Sequence, residues 1–115
     1  MSQPRFLLAL AALSGLLAVA IGAFGAHAIT DPQAKDWIRT GTIYGLGHAA
    51  AAFAVMGRSR GAAWAMTVGA LIFSGSLYLI ALTGQRWLGM VAPLGGLLMM
   101  GGWAWLGWTV VRRPG

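Results

Sequence analysis

Apolar residues run through this chain in long blocks, broken by three short polar interruptions. Residues 6–29, 37–57, 62–83 and 88–111 each form a stretch of about 20 mostly apolar residues, the length at which a helix crosses a hydrocarbon core of roughly 30 Å. The interruptions are TDPQAKDWIR at 30–39, RSRG at 58–61 and GQRW at 84–87. Connections this short force consecutive helices to run antiparallel. The pattern therefore predicts an all-α protein: an integral membrane antiparallel four-helix bundle forming one domain over residues 1–115.

The first block invites another reading. Arg5, an apolar core and Ala26-His27-Ala28 resemble a secretory signal peptide with its A-x-A cleavage site. The apolar run is longer than the roughly 7–15 residues of a signal core, and three more apolar blocks follow it. A retained first membrane helix is the expectation. In the first interruption, Thr30 or Asp31 can cap a short helix that has Pro32 in its first turn, the favoured arrangement for a helix start. Trp37 then falls where interfacial aromatic residues gather.

Composition strengthens the membrane assignment. The chain is 58% hydrophobic and 9% charged, against about 25% charged in ordinary soluble domains. Its net charge of +6 comes from eight Lys and Arg against two acids. A nucleic-acid surface would gather those cations on one face, whereas here every one stands at the end of an apolar block. Nucleic acid is not an expected partner; the lipid bilayer is. Arg5, Arg58, Arg60, Arg112 and Arg113 fall on one side of the predicted bundle, and Lys35, Arg39 and Arg86 on the other. The excess of basic residues on the cytoplasmic side of membrane proteins then predicts both termini in the cytoplasm. There is no cysteine, which removes disulfides, thiolate catalysis and cysteine-based metal sites.

Chemistry concentrates on His48. It lies eleven residues into the second block, about 16 Å along a helix and so near mid-membrane. An ionisable side chain at that depth is expensive unless it has a partner or a purpose. It can be a ligand, a proton relay or a hydrogen-bonding strut between helices. Gly41, Gly45, His48 and Ala52 share one helical face, and Tyr44 stands one turn above the histidine. In the third block, FSGSLY places Ser74 and Tyr78 one turn apart on a face, with Ser76 between them. Tyr44, His48, Ser74, Ser76 and Tyr78 are thus candidates for one internal polar patch.

No catalytic residue is assigned. A serine–histidine hydrolase needs an orienting carboxylate and an oxyanion hole, yet both acids, Asp31 and Asp36, lie in the first polar interruption. A shared metal site for His27 and His48 is disfavoured, because their depths differ by about 15 Å along the helices and zinc needs nitrogens within about 2.1 Å. The glycine pairs at 95–96 and 101–102 follow no strand and precede no lysine of a phosphate-binding loop, so close helix packing is their expected role. The tryptophans read as interfacial anchors.

The runs IGAFGAHAI, YGLGHA, FSGSLYLIALTG and APLGG followed by GW cover nearly the whole chain in order. In these runs the sequence resembles the YgdD-like family of small bacterial inner-membrane proteins, a domain-of-unknown-function family that also takes in the animal transmembrane protein 256. The resemblance implies four membrane helices and a bacterial inner-membrane location, and it implies no activity or cofactor. Its matching positions include His27, His48, Ser74, Gly75, Ser76, Tyr78, Pro93 and Gly95. Two functional expectations follow. One is a non-enzymatic subunit, scaffold or assembly factor that packs with other membrane helices, as a homo-oligomer or with other membrane proteins. The alternative is an oligomeric binding or transport module that holds a small hydrophobic ligand, a haem or a metal ion at the His/Tyr/Ser patch.

Overall fold

The computed structural model describes residues 3–112; Arg113, counted above among the topogenic charges, lies outside them. Within that range the chain forms α1 (Gln3–Ala28), α2 (Pro32–Val55), α3 (Arg60–Thr83), a 3-10 turn (Arg86–Met90) and α4 (Ala92–Arg112). The helix ends follow local chemistry. Asp31 caps α2, its carboxylate accepting the Ala34 N–H at 2.9 Å, and Pro32 sits in the first turn, where a missing N–H costs nothing. Ser59 caps α3 by accepting from Ala62 N at 3.1 Å. α3 ends at Gly84, whose φ of +74° suits only a residue without Cβ and lets its N–H reach the Ile80 carbonyl.

Two boundaries differ from expectation. The short interfacial helix and the second span are a single helix, because nothing between Pro32 and Gly41 breaks the run once Asp31 has started it. The α-helix of the fourth block begins at Ala92, after the 3-10 turn, with Pro93 in its first turn, while the apolar stretch itself runs from Arg86 to Arg112.

Each helix packs antiparallel to the next. Along α1 and α2, Gly15 faces Ala49, Gly22 faces Thr42 and Gly25 faces Ile38. Gly41 and Gly45 of α2 meet Tyr78 and Ser74 of α3. On α3, Gly61 meets Trp105, Met66 meets Gly102, and Gly69 meets Gly95, all on α4. α3 is the central helix, packed against α2 and α4 along its length and more lightly against α1. Leu7, Val55, Ala63 and Met66 form one core cluster near one end, and Leu77, Ile80, Leu88 and Ala92 another near the other.

The outside is as apolar as the inside. Leu16, Val19, Phe24, Ile43, Phe53, Leu82, Leu97 and Met100 are each more than half exposed, an apolar surface far beyond the patches soluble monomers tolerate. Three stretches, Pro4–Ala28, Arg60–Thr83 and Arg86–Arg112, are long and apolar enough to cross a membrane on their own account. α2 is not among them; past Lys35, Asp36 and Arg39 it also carries Thr40, Thr42, Tyr44, His48 and three glycines, which lower its mean hydropathy. It runs nonetheless beside α1 and α3, so the same depth of membrane holds it between two apolar neighbours.

Candidate functional site

His48 occupies the side of α2 that looks across α3 towards α4, and it is 9% exposed. Both ring nitrogens are engaged. Nδ1 lies 2.8 Å from the Tyr44 carbonyl one turn back, and the Trp103 indole N–H of α4 donates to Nε2 at 3.0 Å. An indole can only donate, so Nε2 must be the acceptor and Nδ1 carries the proton towards Tyr44. The hydrogen-bond geometry thus selects a neutral imidazole in one tautomer. Around it the Tyr44 ring stacks at 6.2 Å, the Trp103 ring stands edge-on at 6.0 Å, and Phe73 of α3 meets the edge of Tyr44 at 5.2 Å.

These rings border a cleft of about 280 Å³ between α2, α3 and α4, floored by Gly96 and Met99 and flanked by Met100. The missing side chain at Gly96 and the adaptable thioethers leave an apolar space beside the histidine.

The serine–tyrosine group lies on another face. Ser74 donates to the Gly41 carbonyl at 2.7 Å, and Tyr78 OH shares a hydrogen bond of 3.0 Å with Thr42 Oγ1. Thr42 also reaches the Ala18 carbonyl at 3.4 Å, so one polar chain ties α3 to α2 and α2 to α1. Beside it, Ser14, Gly45, Ser74 and Tyr78 border a small cavity of about 50 Å³, large enough for a water molecule. Ser76 belongs to neither group; its hydroxyl returns to the Ile72 carbonyl at 2.6 Å, as serines in membrane helices often do.

The five residues expected to form one patch therefore divide. Tyr44 and His48 face the α4 side with Trp103, Ser74 and Tyr78 join Thr42 at the α1–α2–α3 seam, and Ser76 bonds within its own helix. His27 is exposed in the last turn of α1. It lies two residues past Gly25, which packs on Ile38, and His48 is ten residues further along α2, about 15 Å by helical rise. Among the described residues, no three of His, Cys, Asp or Glu gather into a ligand cluster. Gly95 is buried at the closest approach of α3 and α4, Pro93 is exposed in the first turn of α4, and Gly75 has open space where a Cβ would go.

Sequence reasoning missed Thr42 and Trp103. Nothing distinguishes Thr42 from other small residues of α2. Trp103 did carry a signal: it lies eleven residues past Ala92 and nine before Arg112, too deep for an interfacial belt, and an indole N–H at mid-membrane depth, away from water, needs an acceptor within the protein.

The family model described as "Protein of unknown function (DUF423)" matches residues 21–96, which hold Tyr44, His48, Ser74 and Tyr78. The chain belongs to the DUF423 family. Among its relatives, the UPF0382 inner membrane protein YgdD of Escherichia coli K12 is 39% identical over 111 residues, covering 87% of this chain and 85% of that protein. The UPF0382 membrane protein YwdK of Bacillus subtilis 168 is 38% identical over 107 residues, covering 82% and 86%. A UPF0382 membrane protein of Haemophilus influenzae is 37% identical over 108 residues, covering 84% and 86%. No solved structure matches the chain. The names of these relatives agree with the apolar exterior, and this DUF423 protein is a helical membrane protein.

Proposed function

We propose that the protein is a non-enzymatic packing component of the bacterial inner membrane, a subunit, scaffold or assembly factor whose working surface is the outside of its helices. The observation that carries this reading is the use of the polar side chains inside the bundle. His48, Ser74, Tyr78 and Thr42 each bond to another part of the same chain, which supports reading them as struts. α4 supports the reading from the outside. It packs chiefly on α3, and its far side presents Leu97, Gly101, Ala104 and Trp108 at helical spacing, all exposed. A small residue between large apolar ones lets another helix approach closely, and the partner to test first is a second copy of this chain. Photo-crosslinkers at Leu97 and at Leu16 of α1 compare the two outer surfaces in living membranes. Adducts of defined mass from Leu97, absent from Leu16, are expected. Lipid adducts alone at both positions would end the packing reading.

A second reading keeps its place because of the cleft beside His48. A flat hydrophobic molecule such as a quinone or haem fits a wall of Tyr44, Phe73 and Trp103. A ligand that needed the imidazole lone pair would first have to displace the Trp103 indole from Nε2. Native mass spectrometry of gently extracted protein, beside His48→Ala, separates the two readings. A small molecule lost on mutation favours the binding module, and an unchanged assembly favours the strut.

A further inference from the structure

At the other end of the bundle from the α2–α3 turn, a groove of about 310 Å³ opens between the end of α1 and the start of α2. Gly22, Gly25 and Ala26 form its α1 wall, and Lys35, Arg39 and Ile43 stand on its α2 side. The three α2 residues repeat every four positions, so each lies about 6 Å deeper than the last. Their order is cation, cation, hydrocarbon, which is the order a phospholipid presents from phosphate to acyl chain.

We propose that this groove binds one anionic phospholipid, with its phosphate between Lys35 and Arg39 and the upper part of an acyl chain against Gly22, Ala26 and Ile43. Charge supports the assignment. The sequence has two acidic side chains, and neither lines the groove. Asp31 is occupied in capping α2. Asp36 stands 3.6 Å from Arg39 with both side chains at least 70% exposed, a loose contact of the kind that holds little energy in water. A guanidinium offers five N–H donors and suits bidentate phosphate contacts. Shape supports it as well. The alkyl stem of Lys35, which is only partly exposed, can lie along the apolar wall while its ammonium reaches the headgroup region. Gly22 and Gly25 draw α1 close to Thr42 and Ile38 at the groove's base, and the small, exposed Ala26 leaves its mouth open where a leucine would fill it.

The test is native mass spectrometry of the whole chain in mild detergent, with equal amounts of phosphatidylglycerol and phosphatidylcholine added. One phosphatidylglycerol per chain should be retained, roughly thirtyfold over phosphatidylcholine, the preference that two basic side chains at about 1 kcal/mol each would give. The double variant Lys35→Gln/Arg39→Gln should bring that ratio close to one. Ala26→Trp, which fills the groove from an exposed position and keeps both cations, should also abolish retention. Arg86→Gln removes a cation outside the groove and should change nothing. Circular dichroism confirms helix content in each variant. The proposal is overturned if the wild type shows no preference, if Ala26→Trp still retains lipid, or if Arg86→Gln loses it equally. Release of the lipid by millimolar inorganic phosphate would also overturn it, by assigning the cations to a free anion.

Discussion

His48 and Trp103 bind α2 to α4 at a place where the two backbones scarcely meet, so their hydrogen bond is a direct measure of that link. Interhelical hydrogen bonds in membrane proteins contribute about 0.6 kcal/mol on average and up to about 1.7. Trp103→Phe keeps most of the ring packing and leaves Nε2 without its donor; His48→Ala removes both imidazole bonds. In a double-mutant cycle read by steric-trapping unfolding in bicelles, the coupling between the two positions should fall between about 0.6 and 1.7 kcal/mol. A coupling indistinguishable from zero would mean that the bond does not form in the bilayer. The depth of His48 was legible from its distance to the block ends, because helical rise is constant. Its partner was not: the tryptophans together suggest an interfacial belt, and only the mid-helix position of Trp103 sets it apart. The division of the expected patch has a similar cause. Tyr44 and Ser74 sit on helices whose rotation a uniformly apolar sequence does not reveal.

Between elements, the tightest approach is the crossing of α3 and α4 at Gly69 and Gly95. A Cβ on Gly95 would lie 2.5 Å from the Gly69 carbonyl oxygen and from the Phe73 amide nitrogen. Both are backbone atoms of α3 and cannot swing aside, so the helices would have to part and the contacts along the seam would loosen together. Gly95→Ala should destabilise by about 1–3 kcal/mol or more, the usual cost of overpacking. Gly107→Ala is the matched control on the same helix. Nothing lies within 4 Å of its Cβ position, so replacing the glycine there should leave stability unchanged or raise it by up to about 1 kcal/mol through helix propensity alone. Melting temperatures of the two variants in one detergent read the contrast, and equal melting would show that α3 and α4 are not this close. Four helices and their turns could be read from the blocks, and the capping of α2 could be read from Asp31-Pro32. The crossing itself could not. Gly69, Gly75, Gly95 and Gly101 look alike in sequence, yet two are clamped between backbones and two face open space.

At the scale of the whole molecule, the arrangement fixes how many sides the chain has to choose between. Four antiparallel helices bring both ends of the described chain to the same face of the bundle. The turn between α2 and α3 shares that face, and the α1–α2 connection and the 3-10 turn lie on the other. The decision between the two orientations then rests on charge. By sequence position, Arg5, Arg58, Arg60 and Arg112, with Arg113 next after Arg112 in the chain, stand against Lys35, Arg39 and Arg86, five against three, and the basic-residue rule predicts the richer side in the cytoplasm. α2 gives this choice a physical weak point. It is the least self-sufficient span, so its passage depends on α1 and α3 entering around it with the correct hand. Fluorescent-protein fusions should therefore glow at both termini, and alkaline phosphatase inserted at Gln85 should be active. Replacing Arg58 and Arg60 with Gln leaves three basic residues on each face, removes the bias and should give a mixed population. Phosphatase activity at the termini of the unaltered protein would invert the assignment. The Lys35/Arg39 groove would then face the cytoplasmic leaflet, with the geometry of the bundle unchanged.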